Sequence, residues 1–139
     1  MLVNENKLPI ANILAIIKQG LGDCFAVYVF GSYADGTMNA ESDIDLAVFI
    51  RNNKLTSWDW YATKQELELL LKKDVDLIDV FSVSTILQNE IVSKGKALYI
   101  KDEEKLNQAI MQIGSAYIDL MEQNKELYEQ IFIDKRIYG

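Results

Sequence analysis

The sequence predicts an α/β (α+β) fold, a mixed β-sheet flanked by helices with a long helix at the C-terminus. Three observations support this. Short apolar, β-branched runs alternate with helix-period segments along all 139 residues. Half the residues are hydrophobic, enough for a sizeable core. There is one cysteine, Cys24, and no histidine, so the fold rests on that core rather than on disulfides or a Cys/His zinc site.

Pro9 suits the first turn of a helix, whose apolar face carries Ile10, Ile13, Leu14 and Ile17 and which Gly20 and Gly22 end. Phe25–Phe30 (FAVYVF) reads as a buried strand. Gly31-Ser32 follows at once, and Tyr33–Met38 fits a short helical turn. Asp43–Ile50 (DIDLAVFI) is a second strand, and 51–54 a polar loop. Ser57 is placed to cap a helix reaching about Lys73, with Tyr61, Leu67, Leu70 and Leu71 as candidate buried positions. Trp58 and Trp60 flank Asp59, and at least one belongs in the core. Val75–Phe81 (VDLIDVF) is a third strand. Ser82 or Ser84 caps a helix bearing Ile86, Leu87, Ile91 and Val92, closed by Gly95; Ala97–Ile100 is a short strand.

From Asp102 a helical pattern runs to about Phe132. Leu106, Ile110, Ile113, Tyr117, Leu120, Asn124, Leu127 and Ile131 alternate spacings of four and three, a heptad seam with one polar position. One unbroken helix over 102–133 would be about 48 Å long, more than the roughly 30 Å of a small domain. Part of the seam would then need another chain; the alternative is a break at Gly114 that folds both halves back. Nothing marks an interdomain linker, so residues 1–139 read as one domain, with a core at about 9–100 and a helical segment at about 102–133.

The net charge is −7, from 21 Asp and Glu against 14 Lys and Arg. Such a chain repels phosphate backbones, so stable nucleic-acid binding is not expected. No apolar run approaches the ~20 residues of a membrane span, and no signal peptide is read, which points to the cytoplasm. Without imidazole or a Cys partner, Ser-His-Asp and Cys-His chemistry are excluded. Carboxylates, hydroxyls and amines remain.

Asp43 and Asp45 lie two apart on a strand, on one face and about 6.5–7 Å from each other. Ionised, they repel unless a cation lies between them. Their donor set is all oxygen, which suits Mg²⁺ or Mn²⁺, and such ions usually also bind substrate phosphates. Gly31 and Ser32 stand where a strand turns into a helix, a place where the backbone comes close to an anion and the hydroxyl adds a donor. Asp76 sits within an apolar run on the third strand, flanked by Val75 and Leu77, and reads as a buried carboxylate that needs a partner such as a metal; it shares a face with Asp74 while Asp79 takes the other. Three carboxylates permit two cations, the arrangement that neutralises an in-line phosphoryl displacement.

The stretch Gly31-Ser32, ten residues, Asp43-Ile44-Asp45 resembles the signature of the polymerase-β-like nucleotidyltransferases, and the strand around Asp76 fits the same family. The small size is similar to the family's minimal branch, the antitoxins that pair with HEPN-domain toxins. The resemblance implies that residues 1–139 form a nucleotidyltransferase domain. It implies that Gly31 and Ser32 hold a nucleoside triphosphate and that Asp43, Asp45 and Asp76 bind Mg²⁺ and carry the catalysis. AMP would pass from ATP, the co-substrate, to a tyrosine of a HEPN toxin that meets the C-terminal helix and the active-site face. In one respect the sequence departs from the family. Many relatives carry a basic residue soon after the Gly-Ser, whereas here Asp35 stands in that region and no Lys or Arg lies between Gly31 and Arg51. The triphosphate charge must be met by metals, backbone amides and distant residues such as Lys72 or Lys73.

Two rival readings differ in their acceptor or in their chemistry. A small-molecule transferase of the aminoglycoside type would label an aminoglycoside, although this chain is short for an added acceptor domain. A non-catalytic antitoxin would neutralise its partner without any transfer.

Overall fold

The computed structural model describes residues 8–39, 42–127 and 129–130. Strands and helices alternate: α1 (Ile10–Leu21), β1 (Ala26–Phe30), the short α2 (Ser32–Asp35), β2 (Ile44–Phe49), α3 (Ser57–Leu71), β3 (Val75–Asp79), a 3-10 turn over Val80–Ser82, α4 (Thr85–Lys94), β4 (Lys96–Ile100) and α5 (Glu103–Gln123). The strand order is β3-β2-β1-β4. β1 runs antiparallel to both β2 and β4, while β2 and β3 are parallel, so the sheet is mixed as predicted.

Strand periodicity divides the side chains between two cores. Val27, Val29, Leu46, Val48, Val75 and Leu98 face Ile13 and Ile17 of α1 and Leu67 of α3. Ala26, Tyr28, Ala47 and Phe49 face the other way, toward Ile91 of α4 and Leu106, Ala109 and Ile113 of α5. Phe49 anchors this second layer, with the rings of Phe25, Tyr28 and Phe81 at 5.9, 5.1 and 6.1 Å. Each Val, Leu, Ile or Phe side chain fully buried in this way contributes about 1.5–3 kcal/mol.

Three helix starts follow the capping rule. Thr56 and Asp59 form a reciprocal capping box on α3, so the cap is one residue earlier than Ser57. Ser84 caps α4 and Asp102 caps α5, both as expected.

Other expectations are corrected. The third strand stops at Asp79, because its carboxylate accepts from the Phe81 amide at 3.0 Å and turns the chain into the 3-10 segment. On α3, Thr63 and Leu67 are buried, whereas Tyr61 is 52 % exposed and stacks on Trp58 at 5.7 Å. Trp60 packs against the first core. On α4, Ile86 points outward.

α5 runs straight through Gly114 and ends at Asn124 instead. The Asn124 carboxamide donates to the Leu120 carbonyl at 2.8 Å, competing with the helix's own bonding. Residues 125–127 and 129–130 are helical again, and Ile131, Phe132 and the rest of the predicted helix lie outside the described residues. The 21 residues of α5 are about 32 Å long. Burial along the helix ends at Ile113. Beyond it Tyr117 and Leu120 are half-buried, and Ile118 is 61 % exposed.

Candidate active site

The end of β1 and the starts of β2 and β3 meet at one end of the sheet. On the α4/α5 face, the row Tyr28, Ala47, Ile78 is apolar. The next row out is Phe30, Asp45, Asp76. The core therefore gives way to acid within one pleat. Asp45 stands directly beside Asp76 across the parallel pair, where strands are about 4.8 Å apart. Asp43 precedes β2 on the same face, two residues before Asp45. The sheet thus brings all three predicted carboxylates to one side and one end.

Gly31 closes the fourth side. Its φ of 67° is left-handed, and a Cβ there would collide with Asp45 Oδ2 and lie 3.4 Å from Asp45 Cγ. The absent side chain is what lets the carboxylate sit against the turn. Ala34 and Asp35 donate their amides to the Gly31 carbonyl at 3.0 and 3.2 Å, and Tyr33 and Ala34 are buried, so the turn is pinned to the core. Ser32 is half-buried at its front.

Burial pushes the Asp45 carboxyl above its ordinary range, and the charges of Asp76 and then Asp43 add to the rise. Asp43 and Asp76 are exposed. The exposure of Asp76 corrects the reading of it as a buried carboxylate. β3 is an edge strand, and the apolar packing on this face reaches only as far as Ile78. Among the described residues no ion pair involves the three. Nor do any three acidic side chains among them form a ready-made metal cage. Mg²⁺ sites typically need only one or two carboxylates, with phosphates completing the shell. The oxygen donors fit such an ion.

The two distant lysines differ in their surroundings. Lys73 Nζ donates to the Ser42 carbonyl at 3.3 Å and lies 5.9 Å from the centroid of the Tyr33 ring, so it ties β3 to the segment joining the two halves of the motif. Lys72 is the exposed, left-handed C-cap of α3. No periodicity marks Lys73, because its partners are distant in sequence. Asp35 accepts from the Thr37 amide and hydroxyl at 2.9 and 2.6 Å, which lowers its pKa.

This fold and acidic end are those of a nucleotidyltransferase. The family described as "Polymerase beta, Nucleotidyltransferase" matches residues 12–104. The chain belongs to that family, whose enzymes act on a nucleotide and typically use a divalent metal. It is 35% identical over 99 residues to the protein adenylyltransferase MntA of Shewanella oneidensis; the match covers 70% of this chain and 66% of that protein, a little under two-thirds of its length. Among solved structures, a chain of a toxin–antitoxin crystal structure with AMP-PNP aligns at TM-score 0.81 and 28% identity, covering 90% of this chain and 99% of that one. A chain from the complex of tri-AMPylated Shewanella oneidensis HEPN toxin with MNT antitoxin aligns at 0.73 and 25% identity, covering 88% and 95%. Among the described residues no helix is long and apolar enough to cross a membrane.

Proposed function

We propose that the chain transfers AMP from ATP to a tyrosine hydroxyl of a partner HEPN-domain toxin and so acts as its antitoxin. The observation that carries this reading is Asp45 set between the bare backbone of Gly31 and the carboxylate of Asp76. A triphosphate laid along the Gly31-Ser32 turn meets a hydroxyl donor on one side and acidic ligands on the other. The names of the relatives support the acceptor: one is a protein adenylyltransferase, and another accompanies an AMPylated HEPN toxin.

The tasks divide among the five residues, with Asp76 carrying two. The Gly31 backbone and Ser32 Oγ–H hold the phosphates. Asp43 and Asp45 would hold Mg²⁺, with Asp76 as a ligand for a second ion. Bound there, the metal withdraws charge from the phosphoryl oxygens. Asp76 accepts the proton of the incoming hydroxyl. The hydroxyl oxygen bonds to the α-phosphorus as the bond to the β-phosphate oxygen breaks, and pyrophosphate leaves. The setting is the cytoplasm, where the buried Cys24 thiol stays reduced.

The test is ATP labelled at the α-phosphate, incubated with Mg²⁺, the chain and its purified HEPN toxin. Label on a tyrosine of the toxin is expected. Toxin neutralised with no label transferred would reduce the chain to a masking protein.

The outer part of α5 supplies the partner surface. Met111 and Ile118, one heptad apart, are 74 % and 61 % exposed and lie outside both cores. A Met111→Asp/Ile118→Asp variant is therefore expected to melt within a degree or two of wild type while binding the toxin at least about tenfold more weakly. Thermal denaturation and calorimetric titration check the two halves of this expectation.

A further inference from the structure

The opposite end of the sheet carries a cleft of about 630 Å³ between the start of β1, the end of β2 and the first turns of α5. Arg51, Lys101 and Lys105 line it, three cations at one place in a chain of net charge −7. Arg51 is six residues beyond Asp45 along the β2 direction, about 20 Å at strand rise, so this cleft and the acidic end are separate.

Of the three, the Arg51 side chain is held in place. The Arg51 guanidinium lies over the Phe81 ring, 3.9 Å from its centroid, and reaches Gln112 Oε1 at 3.5 Å. Lys101 is fixed by its amide, which donates to the Phe25 carbonyl at 2.9 Å. Two carboxylates, Asp23 and Asp102, also line the cleft. Asp23 is shared between Lys101 at 3.6 Å and Lys18 at 4.0 Å. Asp102 accepts from the Lys105 amide as the cap of α5. Among the described residues no carboxylate pairs with Arg51 or Lys105. Three cations against two carboxylates leave the cleft positive, with Arg51 and Lys105 as the cations that an anion would neutralise. The volume falls in the range of small-molecule sites, and Phe25 and Ala109 give the cleft an apolar wall.

We propose that this cleft is a second binding site, taking a phosphate-bearing small molecule the size of a mononucleotide. Arg51 and Lys105 take the phosphates, while the apolar wall takes the remainder. The proposal does not depend on the transferase reaction.

The test is calorimetric titration of the full chain with ADP and with pyrophosphate at low salt in EDTA, where the acidic end repels anions. Binding of at least one is expected, with Arg51→Gln and Lys105→Gln each weakening it about tenfold. The exposed Lys105 can be changed without disturbing the core, so a folding defect in the Arg51 variant would not blur the result. Tighter binding of ADP than of pyrophosphate identifies a nucleotide ligand, and equal binding identifies an inorganic polyphosphate; either supports the site. Absence of binding at millimolar ligand, or binding that neither variant weakens, overturns it.

Discussion

Replacing Asp45 by Asn is expected to remove nucleotidyl transfer and, at the same time, to make the metal-free chain more stable at neutral pH. Loss of the central carboxylate takes away a metal ligand and its charge, a change expected to lower the rate about a thousandfold. The stability effect has the opposite sign because burial, Asp76 and Asp43 all raise the Asp45 pKa above its ordinary 3.8. A carboxyl whose pKa rises on folding favours the folded state in acid, and this favourable contribution is lost as pH climbs through the raised value. At pH 7 the ionised group faces a like charge across the strand pair. Asp45→Asn relieves that repulsion, by about 0.5 kcal/mol on the scale of cross-strand pairs. Melting curves with EDTA check this gain, and Mg²⁺ with an ATP analogue is expected to raise the melting temperature of wild type but not of the variant.

Gly31→Ala is the second large effect. An L side chain at φ 67° costs about 1–2 kcal/mol, and its Cβ would occupy the space of the Asp45 carboxylate. Either the turn or the acid must shift, and a displacement of about 1 Å costs roughly a hundredfold in rate. Gly36→Ala separates the two causes. Gly36 has φ 83° with nothing within 4 Å of its Cβ position, so that variant is expected to lose similar stability while keeping most of its activity. Equal loss of activity in both variants would mean that the Gly31–Asp45 contact is not what matters.

Much of the site was legible in the sequence because it is local. Gly31-Ser32 ends one strand and Asp43-Ile44-Asp45 begins the next, so spacing along the chain already implied proximity. Register then did what sequence alone does not: it set Asp76 beside Asp45 rather than merely on a neighbouring strand. The apolar run around Asp76 suggested a buried carboxylate, but Val75 and Leu77 take the opposite face, and the run does not record where the covering helices stop. Tyr61 misled for a related reason, since an aromatic at helical spacing reads as core until Trp58 gives it an exposed partner. In α5 the polar position of the heptad seam carried more weight than the glycine. Gly114 costs only about 1 kcal/mol inside a helix, whereas the Asn124 side chain offers the backbone another bond. The basic cleft left no mark in the sequence, because residues 51, 101 and 105 come from separate elements and meet only when the sheet forms.

Binding of Mn²⁺, followed by electron paramagnetic resonance in the presence of a non-hydrolysable ATP analogue, tests the acidic end most directly. The expected result is Mn²⁺ that becomes tightly bound only when the nucleotide is present and that the Asp43→Asn/Asp45→Asn variant fails to hold. Mn²⁺ held equally well by that variant would place the metal elsewhere and remove Asp43 and Asp45 from the chemistry.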